Sequence, residues 1–185
     1  GPTDYDSLHR GQVTEKLAVM RKRLSLTPEQ ETKIAKALPY GQAKTKMIDN
    51  DTKVIRASSE DKKKMEDAIR AALTAEQQKE YDSFRAEEKA NAAEAVANRE
   101  LSRLQSMTTL SPEQKDQAFA AFTEIASTES MEDLPEPGEK SDVMKNALET
   151  RWAARLEALG AILTPEQMAI YQQAGNPFFA RGPGG

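Results

Sequence analysis

The sequence predicts an all-α chain in which one helical unit is used twice, and three observations carry that expectation. The first is a pentapeptide that occurs four times: Leu26-Thr27-Pro28-Glu29-Gln30, Leu73-Thr74-Ala75-Glu76-Gln77, Leu110-Ser111-Pro112-Glu113-Gln114 and Leu163-Thr164-Pro165-Glu166-Gln167. The second is an apolar stripe at helical spacing on either side of each copy. The third is composition, because Ala-, Glu-, Lys- and Gln-rich stretches cost little in a helix and no alternating strand pattern stands out.

Each pentapeptide reads as a helix start. The Thr or Ser hydroxyl caps free backbone amides, Pro suits the first helical position, and Glu meets the positive end of the helix dipole. The Gln three residues after the cap can reach back to close a capping box, and the Leu before it can staple onto the first turn. The copies are also ordered: Thr27 to Thr74 and Ser111 to Thr164 are similar intervals, as are Thr27 to Ser111 and Thr74 to Thr164. That is a two-motif unit repeated.

Val13, Leu17, Met20 and Leu24 lead into the first motif, and Met65, Ile69, Ala72 and Leu73 into the second. Leu101, Leu104 and Met107 precede the third, and Leu148, Trp152, Leu156 and Leu159 the fourth. Beyond the caps come Ile34 and Leu38, Tyr81 and Phe84, Phe119 and Phe122, and Tyr171. Every motif therefore joins two amphipathic helices. Pro39-Tyr40-Gly41 ends the helix begun at Thr27, Asp133 to Gly138 reads as a loop, and Ser58 and Ser141 read as further caps. The longest helix is expected from Thr74 to about Ser106.

Division by motif gives a flexible start over 1–9, one unit over 10–92, a second over 93–175 and a disordered tail over 176–185. Gly1-Pro2 has the look of a protease-cleavage remnant, with an export signal expected upstream of it.

Composition excludes several classes of function. The chain has 185 residues, 38% hydrophobic and 30% charged, and a mean hydropathy of -0.72, which suits thin amphipathic assemblies better than a large core. With 26 basic and 30 acidic side chains it lacks the positive field that nucleic acid rewards. No run of residues is apolar enough to span a bilayer. There is no cysteine, so thiolate chemistry is excluded.

Chemistry-bearing motifs are scarce. The single histidine, His9, stands alone, so no metal site is expected. Asp49-Asn50-Asp51 with Glu60 has the outer spacing of a calcium-binding EF-hand loop, but Lys53 replaces an oxygen ligand and Val54 stands where the turn needs Gly. Seven methionines could suit soft metals, but Met20, Met65 and Met144 fall on apolar helical faces and read as core. No Ser/His/Asp set, phosphate loop or His-Glu-x-x-His segment occurs, and pairs such as Glu87 and Glu88 read as solvated surface. The expectation is a non-enzyme without cofactor or small-molecule substrate.

Two faces of the long helix stand out. Ala86, Ala90, Ala93, Ala97, Leu101 and Leu104 form a stripe of mostly small residues suited to close helix packing. Arg85, Lys89, Ala92, Val96, Arg99 and Arg103 line a second face that mixes cations with an apolar middle, and Arg151 and Arg155 beside Trp152 could extend it. Such a surface can steer and retain protein partners. The plainer alternative is exposed helix with ordinary intrahelical pairs to Glu.

The four motifs resemble the signature of the LTXXQ-motif family of Spy- and CpxP-like proteins: Leu26, Thr27 and Gln30; Leu73, Thr74 and Gln77; Leu110, Ser111 and Gln114; Leu163, Thr164 and Gln167, with Ser111 a departure from Thr. The resemblance implies periplasmic location and a curved all-helical cradle. With four motifs in place of the usual two, it implies a tandem pair of helical hairpin units whose halves pack antiparallel as a single-chain pseudo-dimer, monomeric in solution. It further implies an ATP-independent chaperone that binds partly unfolded clients. The alternative is a sensory or regulatory domain of an envelope-stress or metal response that binds a membrane-bound partner; the histidines of metal-binding relatives are missing here.

Overall fold

The computed structural model describes residues 2–130, 134, 135 and 141–179, with the side chains of 2–9 and 141 outside that description. Helices dominate: α1 (Pro2–Leu24), α2 (Pro28–Ala37), α3 (Ser59–Ala72), α4 (Ala75–Met107), α5 (Pro112–Thr128), α6 (Ser141–Gly160) and α7 (Pro165–Gln173). Between α2 and α3 lie a 3-10 turn (Leu38–Gly41) and two antiparallel strands, β1 (Lys44–Ile48) and β2 (Asp51–Ile55). The chain divides into two compact units, residues 1–86 and 87–185, with the division inside α4.

The helix starts follow from local chemistry. Thr27, Ser111 and Thr164 have extended backbones, and their hydroxyls accept from the amides of Gln30, Gln114 and Gln167. Thr74 does the same for Gln77, at 3.2 Å. Each Gln side chain answers by accepting the cap residue's own N–H, so all four capping boxes are closed. Ser58 caps α3 by accepting from the Asp61 amide. Ser141 opens α6, but its capping role falls outside the described side chains. α1 ends where Ser25 takes a left-handed backbone, φ 53°, and Leu26 N–H turns back to Arg21 O.

Helix α1 begins at Pro2, which suits the first helical position because its missing N–H needs no partner there. The strands are a correction, since the sequence leads to no expectation of a strand. Asp49 and Asn50 take left-handed conformations, φ 52° and 63°, which the short polar side chains of Asp and Asn tolerate. Two consecutive left-handed residues make the turn whose twist matches a hairpin. Thr45 then pairs with Val54 and Met47 with Thr52, and the failed calcium loop is a reverse turn. Of the expected Asp133 to Gly138 loop only Leu134 and Pro135 are described, outside any helix or strand, and most of the tail lies outside the described residues.

In the first unit, Met20 and Leu24 of α1 close over Ile34, Ala37 and Leu38, with Met65, Ile69, Leu73, Tyr81 and Phe84 completing the core. Ile34 and Ile69 are wholly buried, each contributing roughly 1.5–3 kcal/mol. In the second unit, Ala97, Leu104, Leu110, Ala118, Phe122, Leu159, Leu163 and Tyr171 form the core, flanked by Leu101, Phe119, Trp152 and Leu156. Of the expected small-residue stripe, Ala93, Ala97 and Leu104 are buried and Leu101 is half-buried, whereas Ala86 and Ala90 are exposed. Exposure of Ala86 and Ala90 costs α4 little, because Ala keeps its helix propensity in water.

Candidate functional site

The motif glutamines do more than cap. Gln30 Nε2 donates to Gln77 Oε1 at 2.7 Å, and Gln77 Nε2 donates back to Gln30 Oε1 at 3.1 Å. Each amide spends its second N–H on the carbonyl that ends the opposite helix, Ala72 O for Gln30 and Leu24 O for Gln77. With the cap N–H bonded to each Oε1, both donors and both acceptor sites of each amide are used. The second unit repeats the device. Gln114 and Gln167 exchange bonds at 2.7 and 3.3 Å and reach Ile162 O and Thr109 O. Leu73, Leu110 and Leu163 are buried and Leu26 packs against its core. The motif residues are thus spent on holding two helix junctions together.

The cationic residues singled out from sequence separate into two groups. Lys89, Ala92 and Arg99 are exposed on α4, with Val96 and Arg103 half-buried beside them. Arg85 is tied to Glu66 at 3.0 Å. Arg151 and Arg155 do not extend that surface. Arg155 is 1% exposed, and Arg151 donates to Ser130 O at 2.6 Å.

Arg155 is held by all five of its N–H groups. Nε and Nη2 donate to the two oxygens of Glu100, at 2.6 and 3.0 Å. Nη1 and Nη2 donate to the two oxygens of Glu129, at 2.7 and 2.9 Å, and Nη1 also reaches Arg151 O. These partners sit on α4 and at the end of α5, so the pairs are not the intrahelical ones considered from sequence. The Phe178 ring covers the guanidinium at 4.9 Å. Burial alone would lower the Arg155 pKa, but the hydrogen bonds to Glu100 and Glu129 reverse this and leave it raised. Met65 stands at the corresponding place in the first unit, nine residues before its motif's Thr as Arg155 is, and is ordinary core. The guanidinium is a structural clamp.

Tyr171 stacks on Trp152 with ring centroids 4.9 Å apart. Burial, aided by the charge of Glu100, pushes its hydroxyl up to about 12 from 10.0. A raised folded pKa means stability that is fully present below about pH 10 and lost as pH rises towards about 12, an effect of about 2–3 kcal/mol. Urea unfolding followed by Trp152 fluorescence is expected to show that loss, and Tyr171→Phe to flatten it relative to the wild-type chain.

The hairpin exposes apolar side chains that the sequence did not reveal. Met47 is 66% exposed and Val54 58%, with Ile48 and Tyr40 exposed nearby. By register Thr45, Met47, Thr52 and Val54 share one face of the hairpin, and Lys44, Lys46, Ile48, Asp51, Lys53 and Ile55 the other. Lys64 lies over the Tyr40 ring at 4.4 Å and Lys44 at 5.9 Å, so the aromatic and the cations form one surface.

No protein-family model, curated protein or solved structure matches this chain. The site must be read from its own chemistry. Among the described residues no three His, Cys, Asp or Glu side chains gather as metal ligands, and no helix is long and apolar enough to cross a membrane. His9 lies outside the described side chains. Exposed Met47 and Val54 on one face of the hairpin can retain an apolar segment, and the lysines of the other face can steer an acidic one.

Proposed function

We propose that this chain is a cofactor-free, protein-binding chaperone of the LTXXQ type, acting in the periplasm without ATP on partly unfolded clients. The two-motif unit is duplicated, so one polypeptide carries what the proteins it resembles assemble from two, and it works as a monomer. The observation that carries the reading is the hairpin, where Met47 and Val54 stand exposed on one face while Lys44, Lys46 and Lys53 stand with exposed Ile48 on the other. Met is adaptable enough to fit varied apolar side chains, and lysines add long-range attraction. The reading draws its family from the four motifs and its surface from the hairpin. Binding would act by mass action on the unfolded state.

The test is suppression of aggregation of a chemically unfolded client at stoichiometric amounts. A Met47→Asp, Val54→Asp double variant is expected to need roughly tenfold more protein for the same suppression, because two apolar contacts are lost. Its helicity and Trp152 fluorescence are expected to stay unchanged. A wild-type chain without effect at several-fold excess would falsify the chaperone reading.

A further inference from the structure

We propose that the outer edge of β1 is a strand-addition site for an extended protein segment that alternates acidic and aliphatic residues. The inference rests on the protein-binding reading above and names the partner's chemistry. A two-residue turn makes Ile48 and Asp51 a hydrogen-bonded pair, and alternation makes Lys46–Lys53 and Lys44–Ile55 the next such pairs. The backbone N–H and C=O groups of Thr45 and Met47 therefore point away from β2, along the edge of a sheet that has two strands among the described residues. An edge of this kind is a template for another strand.

Charge selects the edge and the occupant. β1 reads Lys44-Thr45-Lys46-Met47-Ile48 and holds no acid, whereas β2 carries Asp51 within 3.2 Å of Lys53. Lys46 lies directly opposite Lys53, a like-charge pair that destabilises the hairpin, and no carboxylate among the described residues pairs with Lys46. A strand laid along β1 would place its residues of one parity beside Lys44 and Lys46, and those of the other beside Thr45 and exposed Met47. Acids in the first set relieve the lysine repulsion, and aliphatics in the second cover Met47. A second copy of this chain is the wrong occupant, because two β1 edges brought together set lysine against lysine.

The probe is a short fluorescein-labelled peptide alternating Glu and Val, titrated against the full chain. Binding is expected to weaken as salt rises and to slow amide exchange at Thr45 and Met47. The same peptide N-methylated at alternate residues, so that it cannot pair, is expected to bind roughly tenfold more weakly. Met47→Pro removes an outward N–H without removing a hairpin bond and is expected to weaken binding by a similar factor. Lys44→Glu with Lys46→Glu leaves the backbone alone and is expected to switch preference to a Lys-Val peptide. Equal binding of the N-methylated peptide, or protection at Thr52 and Val54 instead, overturns the inference. Aggregation suppression that survives both edge variants also overturns it while leaving the chaperone reading standing. Peptide binding at this edge with no aggregation suppression supports strand addition and removes the chaperone reading alone.

Discussion

Replacing Arg155 by alanine is expected to cost the second unit about 3–5 kcal/mol, the usual cost of breaking a buried ion pair from one side. The loss comes less from forfeited attraction than from what remains: Glu100 and Glu129, still half-enclosed, with four oxygens stripped of the donors that faced them. The measurement is urea unfolding read through Trp152, the only tryptophan, which packs against the same core. An unchanged midpoint would sink the clamp assignment. The companion variant separates charge from packing. Arg155→Met with Glu100→Leu and Glu129→Leu copies the apolar side chain found at Met65, and is expected to fall within about 1–2 kcal/mol of wild type, because a well-packed apolar replacement for a buried ion cluster is often neutral. Screening should matter little to the native cluster, so the Arg155→Ala penalty is expected to persist in high salt.

The second large effect lies in the glutamine pair. Gln77→Ala is expected to destabilise the first unit by about 2–3 kcal/mol, since four hydrogen bonds of roughly 1 kcal/mol each are exchanged for partial solvation. It removes the return half of one capping box, the exchange with Gln30, and the donor to Leu24 O. Gln30→Ala should cost a similar amount. The double variant is expected to cost less than the two together, with a coupling of about 1–2 kcal/mol. Amide exchange in α2 and the opening turns of α4 reads the effect locally. Additive costs would mean that the two side chains act only as separate caps.

The helix starts were legible because capping chemistry is local: four residues determine whether an amide finds a hydroxyl. The reciprocal glutamine bonds were not, since Gln30 meets Gln77 and Gln114 meets Gln167 only after the units fold. The recurrence of the same residue type at similar intervals was the available signal. Arg155 had a signal as well. It falls three residues after Trp152 and four before Leu159, on the inward stripe of α6, but its charge argued for the surface, and partners distant in sequence overrode that preference. The hairpin escaped because Lys-Thr-Lys and Asp-Thr-Lys alternate polar with polar. Neither face carries the apolar repeat by which a half-buried strand is recognised, and the Asp49-Asn50 turn was the better clue.

The glutamine exchange also bears on the order of events during synthesis. The bonds of the first unit span 47 residues and those of the second 53, so neither motif can complete its hydrogen bonding from its own neighbourhood. A chain emerging from the ribosome with Gln30 exposed must wait for Gln77 before the first pair closes, whereas local helix can form in microseconds or less. Until then the amide of Gln30 and the carbonyl of Leu24 are left to water. Closure of each unit is therefore timed by arrival of its second motif, and the first unit can settle while the residues of the last motif have yet to be added.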